Sequence, residues 1–169
     1  MKQNKYLIYV LLIITLIASS ACLRDTESEV LLQVENQSRE SFSLTRMDLA
    51  TLPRTAVNAT DKSGVTSRYE GVKLVDVLRL VGAPSGDDLR GDSVSDFLIV
   101  EGADGYRASF TLAELDPDFS DLTAILADKR DGQTLPDEEG KIRLVVPAET
   151  KRQARWVRQV VKLELKTVE

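Results

Sequence analysis

Basic residues gather in one short segment near the end of an otherwise acidic sequence. Lys151, Arg152, Arg155 and Arg158 fall within eight residues, whereas the chain of 169 residues has a formal net charge of −5. Guanidinium and ammonium groups that are presented together bind phosphate or carboxylate groups through charge-assisted hydrogen bonds. The segment therefore predicts a site for an anionic small molecule or for an acidic patch on a partner protein.

The choice among these four cations depends on where the last strand begins. Side chains alternate between the two faces of a strand, so a strand that begins near Trp156 places Arg155 and Arg158 on opposite faces. We therefore expect Arg152 and Arg155 to hold the anion with help from Lys151, and we expect Arg158 to be solvated.

Three neighbouring residues leave alternatives open. The basic loop could simply balance nearby carboxylates such as Glu149, in which case it binds nothing. Arg143, on the preceding predicted strand, could add a further cation to the site. Trp156 is the single tryptophan of the chain, and its position favours a place in the core over a role as a ligand platform.

The residue types that are missing exclude much of ordinary enzyme chemistry. The chain contains no histidine, so it has no imidazole for a zinc site, a general base or a Ser-His nucleophile. A single cysteine excludes an internal disulfide and every multi-cysteine metal site. The acidic net charge argues against nucleic-acid binding, which depends on neutralising phosphates. We therefore predict no catalytic residue and no metal ligand.

Two groups of carboxylates could suggest a cation site, but neither has the required spacing. Asp116, Asp118 and Asp121 lack the glycine and the register of an EF-hand loop. The acidic residues at 137–139 are consecutive, so their side chains point in different directions. We expect the 136–140 segment to be a solvated loop.

The N-terminus has the three parts of a secretory signal peptide. Lys2 and Lys5 precede an apolar run over residues 6–18, and small residues follow at 19–21. The apolar run is too short to span about 30 Å of hydrocarbon comfortably as a helix, which argues against the alternative of an uncleaved membrane anchor. We therefore predict a signal peptide over residues 1–21 and an exported protein.

Cys22 directly follows the predicted signal peptide and is the single cysteine of the chain. This arrangement resembles a bacterial lipoprotein signal, in which the cysteine is lipidated, although Ser19 stands where such signals usually have leucine. The resemblance implies a lipid anchor in the cell envelope, facing the periplasm or the exterior. A soluble exported protein with a free Cys22 is the alternative. We expect residues 22–29 to be a polar tether and residues 30–169 to be the folded domain.

Alternating apolar and polar residues predict many short strands and few helices. A helical turn near Asp48 is expected to end at Pro53, and a helix is expected over 72–81. A short helix should follow Thr111, which with Glu114 resembles a capping box. The fold class is therefore α+β with a dominant β component. Strands are predicted at 30–34, 41–45, 54–60, 65–69, 97–100, 106–111, 123–127, 142–146 and 156–165.

The middle and C-terminal parts of the chain resemble the sulfite-oxidase-type molybdopterin-binding domain family. The resemblance depends on five ordered segments, which are 69–78, 101–106, 131–136, 142–147 and 154–160. It covers roughly residues 41 to 166 and implies that family's β-rich, mixed-sheet fold. In that family the domain binds a molybdenum-containing pterin, and the loop before the tryptophan supplies basic contacts. By resemblance, Lys151, Arg152 and Arg155 would form a pterin-phosphate site.

The sequence departs from the family at the residues that hold the cofactor. The family's thiolate ligand lies on the strand after a Leu-Pro pair, but the corresponding segment here, 54–61, contains no cysteine. The histidines that help to hold the pterin are also missing. After Pro147 the family usually has a glycine-containing loop, which is replaced here by residues 148–150. We therefore expect no cofactor, and molybdopterin is supported by the resemblance alone.

Three functions remain compatible with the sequence. The first is an exported, lipid-anchored module that has lost redox chemistry and acts as a binding or accessory domain. The second is a genuine molybdopterin-dependent oxidoreductase of the cell envelope that binds its cofactor without a protein thiolate. The third is a subunit that docks onto another redox protein of the envelope. The missing thiolate and imidazole groups favour the first.

Overall fold

Two β-sheets form the framework of the protein in the computed structural model, which describes residues 28–168. Three α-helices accompany them in that part of the chain: α1 (Arg46–Ala50), α2 (Leu74–Leu80) and α3 (Leu112–Leu115). Two short 3₁₀ helices, Gly86–Asp88 and Gly91–Ser95, lie in the loop that follows α2. The strands are β1 (Val30–Glu35), β2 (Ser41–Thr45), β3 (Arg54–Thr60), β4 (Thr66–Lys73), β5 (Phe97–Gly102), β6 (Arg107–Thr111), β7 (Ile125–Arg130), β8 (Gln133–Thr134), β9 (Arg143–Val145) and β10 (Val160–Lys166).

The first sheet is mixed and joins the two ends of the domain. Its strand order is β2-β1-β10-β5-β6, and β1 pairs with β10 in parallel while the other pairs are antiparallel. The second sheet has the order β3-β4-β7-β8, with β9 paired to β7. The predicted α+β fold with a dominant, mixed β component is therefore confirmed.

Inward-facing side chains of both sheets belong to one hydrophobic cluster. The alternation is clearest on β5 and β6, where every second residue is buried. Leu98 and Leu163 of the first sheet and Leu126 and Leu144 of the second are at most 2% exposed. Full burial of each such side chain contributes about 1.5–3 kcal/mol, so the cluster holds the strands around the site in place.

Side-chain hydrogen bonds determine where two of the short helices begin. The Thr45 hydroxyl accepts from the backbone N–H of Asp48 at 3.2 Å, and Asp48 Oδ2 accepts from the backbone N–H of Thr45 at 2.8 Å. Thr45 is therefore the N-cap of α1, and Asp48 is the third residue of its capping box. Thr111 caps α3 as predicted and accepts from Glu114 N–H at 3.1 Å.

Three predicted element boundaries are wrong because pairing between distant strands overrides the local pattern. The helix expected from residue 72 begins at Leu74, since Val72 still pairs with Leu126 of β7. The strand expected over 123–127 lies at Ile125–Arg130. The last strand begins at Val160 and not near Trp156, because Gln159 adopts a left-handed φ of 46° that interrupts the extended chain.

The predicted signal peptide over 1–21, Cys22 and most of the 22–29 tether lie outside the described residues. At the end of that tether, the Glu29 carboxylate accepts a hydrogen bond from Lys141 Nζ. Within residues 28–168, no helix is both long enough and apolar enough to cross a membrane.

Candidate functional site

A cavity of about 240 Å³ lies beside the basic loop, and positively charged side chains dominate its walls. The residues come from the turn after β3, the end of β7, the 136–140 loop, β9 and the segment before β10. Asp61 and Glu139 are the carboxylates in this wall. We call this space the basic cavity, and the cations that line it are Lys62, Arg130, Arg143, Arg152 and Arg158.

The floor of the basic cavity is a buried ionic cluster around Glu139. Its Oε1 forms an ion pair with Arg143 Nη1 at 2.8 Å and accepts a hydrogen bond from Arg130 Nη1 at 2.5 Å. Glu139 is 5% exposed and Arg143 is 6% exposed. Asp137 and Glu138 are exposed, so the prediction of a solvated 136–140 loop is wrong only at Glu139, which turns inward to meet the two guanidinium groups.

Two polar atoms of this cluster lack partners within the part of the chain that the structure describes. Glu139 Oε2 and Arg143 Nε are both buried and make no hydrogen bond. A buried acceptor or donor without a partner costs about 1–3 kcal/mol, and more when the group is charged. The floor therefore offers one free acceptor and one free donor.

Aromatic rings surround the guanidinium of Arg143. Its Cζ lies 5.1 Å from the Trp156 ring centroid and 5.8 Å from that of Tyr69, within the range of cation–π attraction. The two rings meet edge to face with centroids 5.8 Å apart. Trp156 Nε1 donates to the Val146 carbonyl at 2.8 Å, so Trp156 is a core residue, as predicted, that also contributes to the cavity wall.

Arg130 is the second cation that pairs with Glu139, the single carboxylate of the cavity floor. A hydrogen bond with the Tyr69 side chain raises the pKa of Arg130, burial acts against it, and the nearby charge of Glu139 raises it further. Since Arg130 and Arg143 share Glu139, the floor has an excess of positive charge. Such an excess attracts anions and repels metal cations.

Three further cations lie at the rim of the basic cavity. Lys62, Arg152 and Arg158 are exposed, and none of their side chains forms an ion pair within residues 28–168. Arg158 is solvated, as expected, yet it lines the same cavity as Arg152. Strand alternation was expected to separate Arg158 from Arg155, but both residues precede the strand, which starts only at Val160.

Arg155 is engaged by carboxylates of the domain itself. Its Nη1 lies 2.7 Å from Glu114 Oε1, its Nε donates to Glu149, and its guanidinium lies 4.4 Å from the Phe110 ring centroid. Burial by itself lowers the pKa of Arg155, but the hydrogen bonds with Glu114 and Glu149 outweigh it and raise the pKa. Arg155 does not line the basic cavity.

Lys151 and Arg152 share a second, shallower depression on the loop. It has a volume of about 380 Å³ and is lined by residues 148–154. The structure thus places Arg152 beside both depressions, Lys151 beside the shallow one, and Arg155 beside neither. Anion binding by these three residues stays a prediction.

Gln153 fixes the basic loop over the turn that follows β3. Its amide donates to the Thr60 carbonyl, its Oε1 accepts from the Lys62 backbone N–H at 3.0 Å, and its own φ is 51°. On the other side of the loop, the Tyr106 hydroxyl donates to the Ala154 carbonyl at 2.5 Å. The sequence gives no signal for Gln153, because nothing local distinguishes a glutamine that reaches a turn 91 residues away.

The residues around the basic cavity do not fit a thiolate-ligated molybdenum centre. β3, where the family has its cysteine, contains none, and the chain has no histidine. Within residues 28–168 no three metal-ligating side chains lie close enough to hold a metal ion. The donors that converge here are guanidinium and ammonium groups, which bind anions.

Two β-sheets, one of them mixed, that share one hydrophobic cluster give this domain the β-rich framework expected for the sulfite-oxidase type. The sequence model of the oxidoreductase molybdopterin-binding domain matches residues 21–169. The chain belongs to that family, which confirms the resemblance drawn from the five ordered segments.

A solved structure shows the same fold. The sulfane dehydrogenase SoxCD from Paracoccus pantotrophus is similar with a TM-score of 0.63 and 21% sequence identity. The similarity covers 83% of this chain but 39% of the SoxCD chain, so it establishes the fold alone. No curated protein matches the sequence.

Proposed function

We propose that this protein is an exported, lipid-anchored binding module of the cell envelope that has no redox chemistry of its own and holds an anion in the basic cavity. One observation supports the proposal above the others. Five cations line the basic cavity, whereas the cysteine and histidine side chains that a molybdenum cofactor uses in this family are absent from the domain.

The loss of redox chemistry follows from the donor set. A soft thiolate bonds to molybdenum in a way that the hydroxyl or methyl groups of β3 residues do not reproduce. Thr55, Asn58 and Thr60 offer neutral oxygen or amide groups on this strand. We therefore expect neither bound molybdenum nor electron transfer dependent on sulfite or sulfoxide.

Anion binding follows from the uncompensated cations at the rim. A charge-assisted hydrogen bond contributes about 1.5–3 kcal/mol, so two or three such bonds give measurable affinity for a small anion. In this proposal Arg152 contacts the anion, Lys151 adds positive potential beside the mouth, and Arg155 holds the loop in place. Trp156 lies in the wall and reports on occupancy through its fluorescence.

Export and anchoring rest on the sequence of residues 1–22. The charged start, apolar run and small residues are those of a signal peptide, and Cys22 is suitably placed for lipidation. A domain anchored in this way would meet either a small anion of the envelope or an acidic surface on an envelope redox protein.

The deciding experiment uses full-length protein exported by a molybdenum-competent host. Metal analysis should find molybdenum far below one atom per chain, and acid treatment should release no fluorescent pterin. Stoichiometric molybdenum with pterin would contradict the proposal and support the alternative of a genuine molybdopterin-dependent oxidoreductase.

Anion binding is tested on the same preparation by titrating small anions while monitoring Trp156 fluorescence. The double variant Arg152→Ala/Arg158→Ala should lose most of the affinity, because both rim guanidinium groups are removed. Arg107→Ala is the matched control, since Arg107 is an exposed arginine on the other sheet that pairs with Glu101. Equal responses of the double variant and the wild type would eliminate the basic cavity as the binding site.

A further inference from the structure

The basic cavity contains a carboxylate oxygen whose hydrogen-bond partner is missing. Glu139 Oε1 is shared by Arg130 and Arg143, whereas Oε2 is buried and accepts no hydrogen bond from any described residue. Glu139 is one of the residues that line the cavity. A ligand in the cavity is therefore the natural source of the donor that Oε2 lacks.

We propose that Glu139 makes the basic cavity selective for a protonated oxyanion, such as hydrogen phosphate, over a fully deprotonated oxyanion of similar size, such as sulfate. This inference rests on the proposed function, since it assumes that anions occupy the cavity. An ionised carboxylate only accepts hydrogen bonds, so the ligand atom that faces it must bear a proton. Hydrogen phosphate has such a proton, whereas sulfate has none and meets repulsion between like charges.

Arg143 supplies the complementary half of this recognition. Its Nε is a buried donor without a partner among the described residues, and Arg143 lines the same cavity as Glu139. One free donor and one free acceptor match the two kinds of oxygen in hydrogen phosphate, P–O⁻ and P–OH. The rim cations Lys62, Arg152 and Arg158 supply the positive charge that allows a dianion to approach a carboxylate.

The backbone around Glu139 holds its carboxylate in this position. The Glu139 N–H donates to the Pro136 carbonyl at 2.9 Å, and the Glu139 carbonyl accepts from Gln159 N–H at 2.9 Å. Gly140 follows with a φ of 77°, and a Cβ there would lie 2.7 Å from Gln159 Cγ. The loop is thus pinned on both sides of Glu139, so the carboxylate stays on the cavity floor when an anion enters.

The test compares inorganic phosphate with sulfate on the wild-type protein. The titrations monitor Trp156 fluorescence at constant ionic strength and at a pH above the second pKa of phosphate, so both anions have two negative charges. Phosphate should bind at least about tenfold more tightly, the effect of one hydrogen bond to a charged group. Equal affinities, or a preference for sulfate, would overturn this inference and leave the proposed function standing. If neither anion saturates the protein, both ideas fail for these probes.

A pair of variants shows whether Glu139 is responsible. Glu139→Gln replaces the accept-only oxygen with an amide that can donate, so the preference for phosphate should disappear. Glu138→Gln makes the same chemical change at the adjacent, exposed residue and should keep the wild-type preference. A folded Glu139→Gln protein that still prefers phosphate contradicts the assignment. If Glu139→Gln does not fold, the wild-type comparison alone decides.

Discussion

Arg152 and Arg155 lie three residues apart but have different roles. Arg155 is partly buried, donates to two carboxylates and packs on Phe110. Arg152 is exposed and forms no ion pair within the described residues. A guanidinium that is already bound to two carboxylates positions a loop, whereas one without a counter-ion is available to a ligand. Arg155 is therefore a positioning residue for Arg152.

Replacing Arg155 should weaken both the fold and the site. Arg155→Ala removes two partly buried ion pairs and leaves Glu114 and Glu149 without the guanidinium group that they share, so the free energy of unfolding should fall by about 1–3 kcal/mol. Anion affinity should fall as well, since the loop is no longer held. Urea unfolding and Trp156 titration measure the two effects.

Arg107→Ala provides the comparison for Arg155→Ala. Arg107 pairs with Glu101 on an exposed surface, and an ion pair of that kind contributes about 0–1 kcal/mol. Arg155→Lys should restore only part of the loss, because an ammonium group cannot reproduce the planar fork of the guanidinium. If Arg155→Ala is as stable as Arg107→Ala, the positioning role is wrong.

At the scale of single elements, the five-residue helix α1 begins with a capping box that contains the carboxylate of Asp48. A hydrogen bond from the Thr45 hydroxyl, followed by one from the Thr45 backbone N–H, lowers the pKa of Asp48. A carboxyl group with a lowered pKa in the folded state stabilises the protein above its unfolded pKa. That stabilisation is lost as the pH falls through the lowered value.

Removing the Thr45 hydroxyl should therefore have an effect that depends on pH. Thr45→Val keeps the side-chain shape and should cost about 1 kcal/mol of unfolding free energy near neutral pH. The difference from the wild type should shrink as the pH falls below about 4, where Asp48 becomes protonated in the unfolded chain and then in the folded one. Denaturant unfolding across this range measures it.

Thr45→Ser is the matched control, because it keeps the hydroxyl that bonds to Asp48. Its stability should follow the wild type across the pH series. A Thr45→Val deficit that stays constant with pH would show that the hydrogen bond from the Thr45 hydroxyl to the Asp48 carboxylate contributes nothing to the stability of α1.

At the scale of the whole molecule, the cations on the strands of the first sheet have carboxylate partners, whereas three loop cations at the basic cavity have none within the described residues. On the first sheet, Lys162 pairs with Glu35, which raises the pKa of Lys162, and Lys166 pairs with Glu164, which lowers the pKa of Glu164. Cations on that surface are thus compensated. Lys62, Arg152 and Arg158, which form no ion pair within the described residues, lie together at the basic cavity, so an acidic protein presents a local positive surface there.

The proposed export and lipid anchor concern the whole protein, including its N-terminal residues. Cys22→Ala should shift the protein from the membrane fraction to the soluble exported fraction, because several acyl chains hold a protein firmly and none remains in the variant. Intact-mass analysis of the wild type should show the added acyl groups. Ser20→Ala keeps a small residue before the cysteine and should behave like the wild type. An unchanged distribution of Cys22→Ala would refute lipid anchoring.

The sequence by itself was sufficient for the family and for most element types. The apolar residues of β1, the alternation in β2 and the β-branched residues of the β3–β4 hairpin are local patterns, and the structure confirms these strands. The absence of histidine, and of cysteine beyond Cys22, is likewise a property of composition. These facts need no tertiary contact, so the fold class and the departure from the family's cofactor residues were predictable.

Only the tertiary structure decided which cations share a site. Lys62, Arg130, Arg143 and Arg158 come from distant segments, and no local pattern records that they meet. Gly71 illustrates the same limit. A Cβ there would lie 2.7 Å from Ala127 Cα on β7. The sequence has nine glycines, and no local pattern shows which of them has such a close neighbour.

The same limit explains why the last strand was predicted to begin too early and why the burial of Glu139 was not predicted. The left-handed Gln159 delays β10 to Val160, and its N–H is bonded to the Glu139 carbonyl twenty residues earlier. Local sequence patterns report neighbours within about four residues, since they reflect the periods of helices and strands. A cavity assembled from five separate segments depends instead on how two sheets and their loops pack, and that packing placed one carboxylate among the arginines.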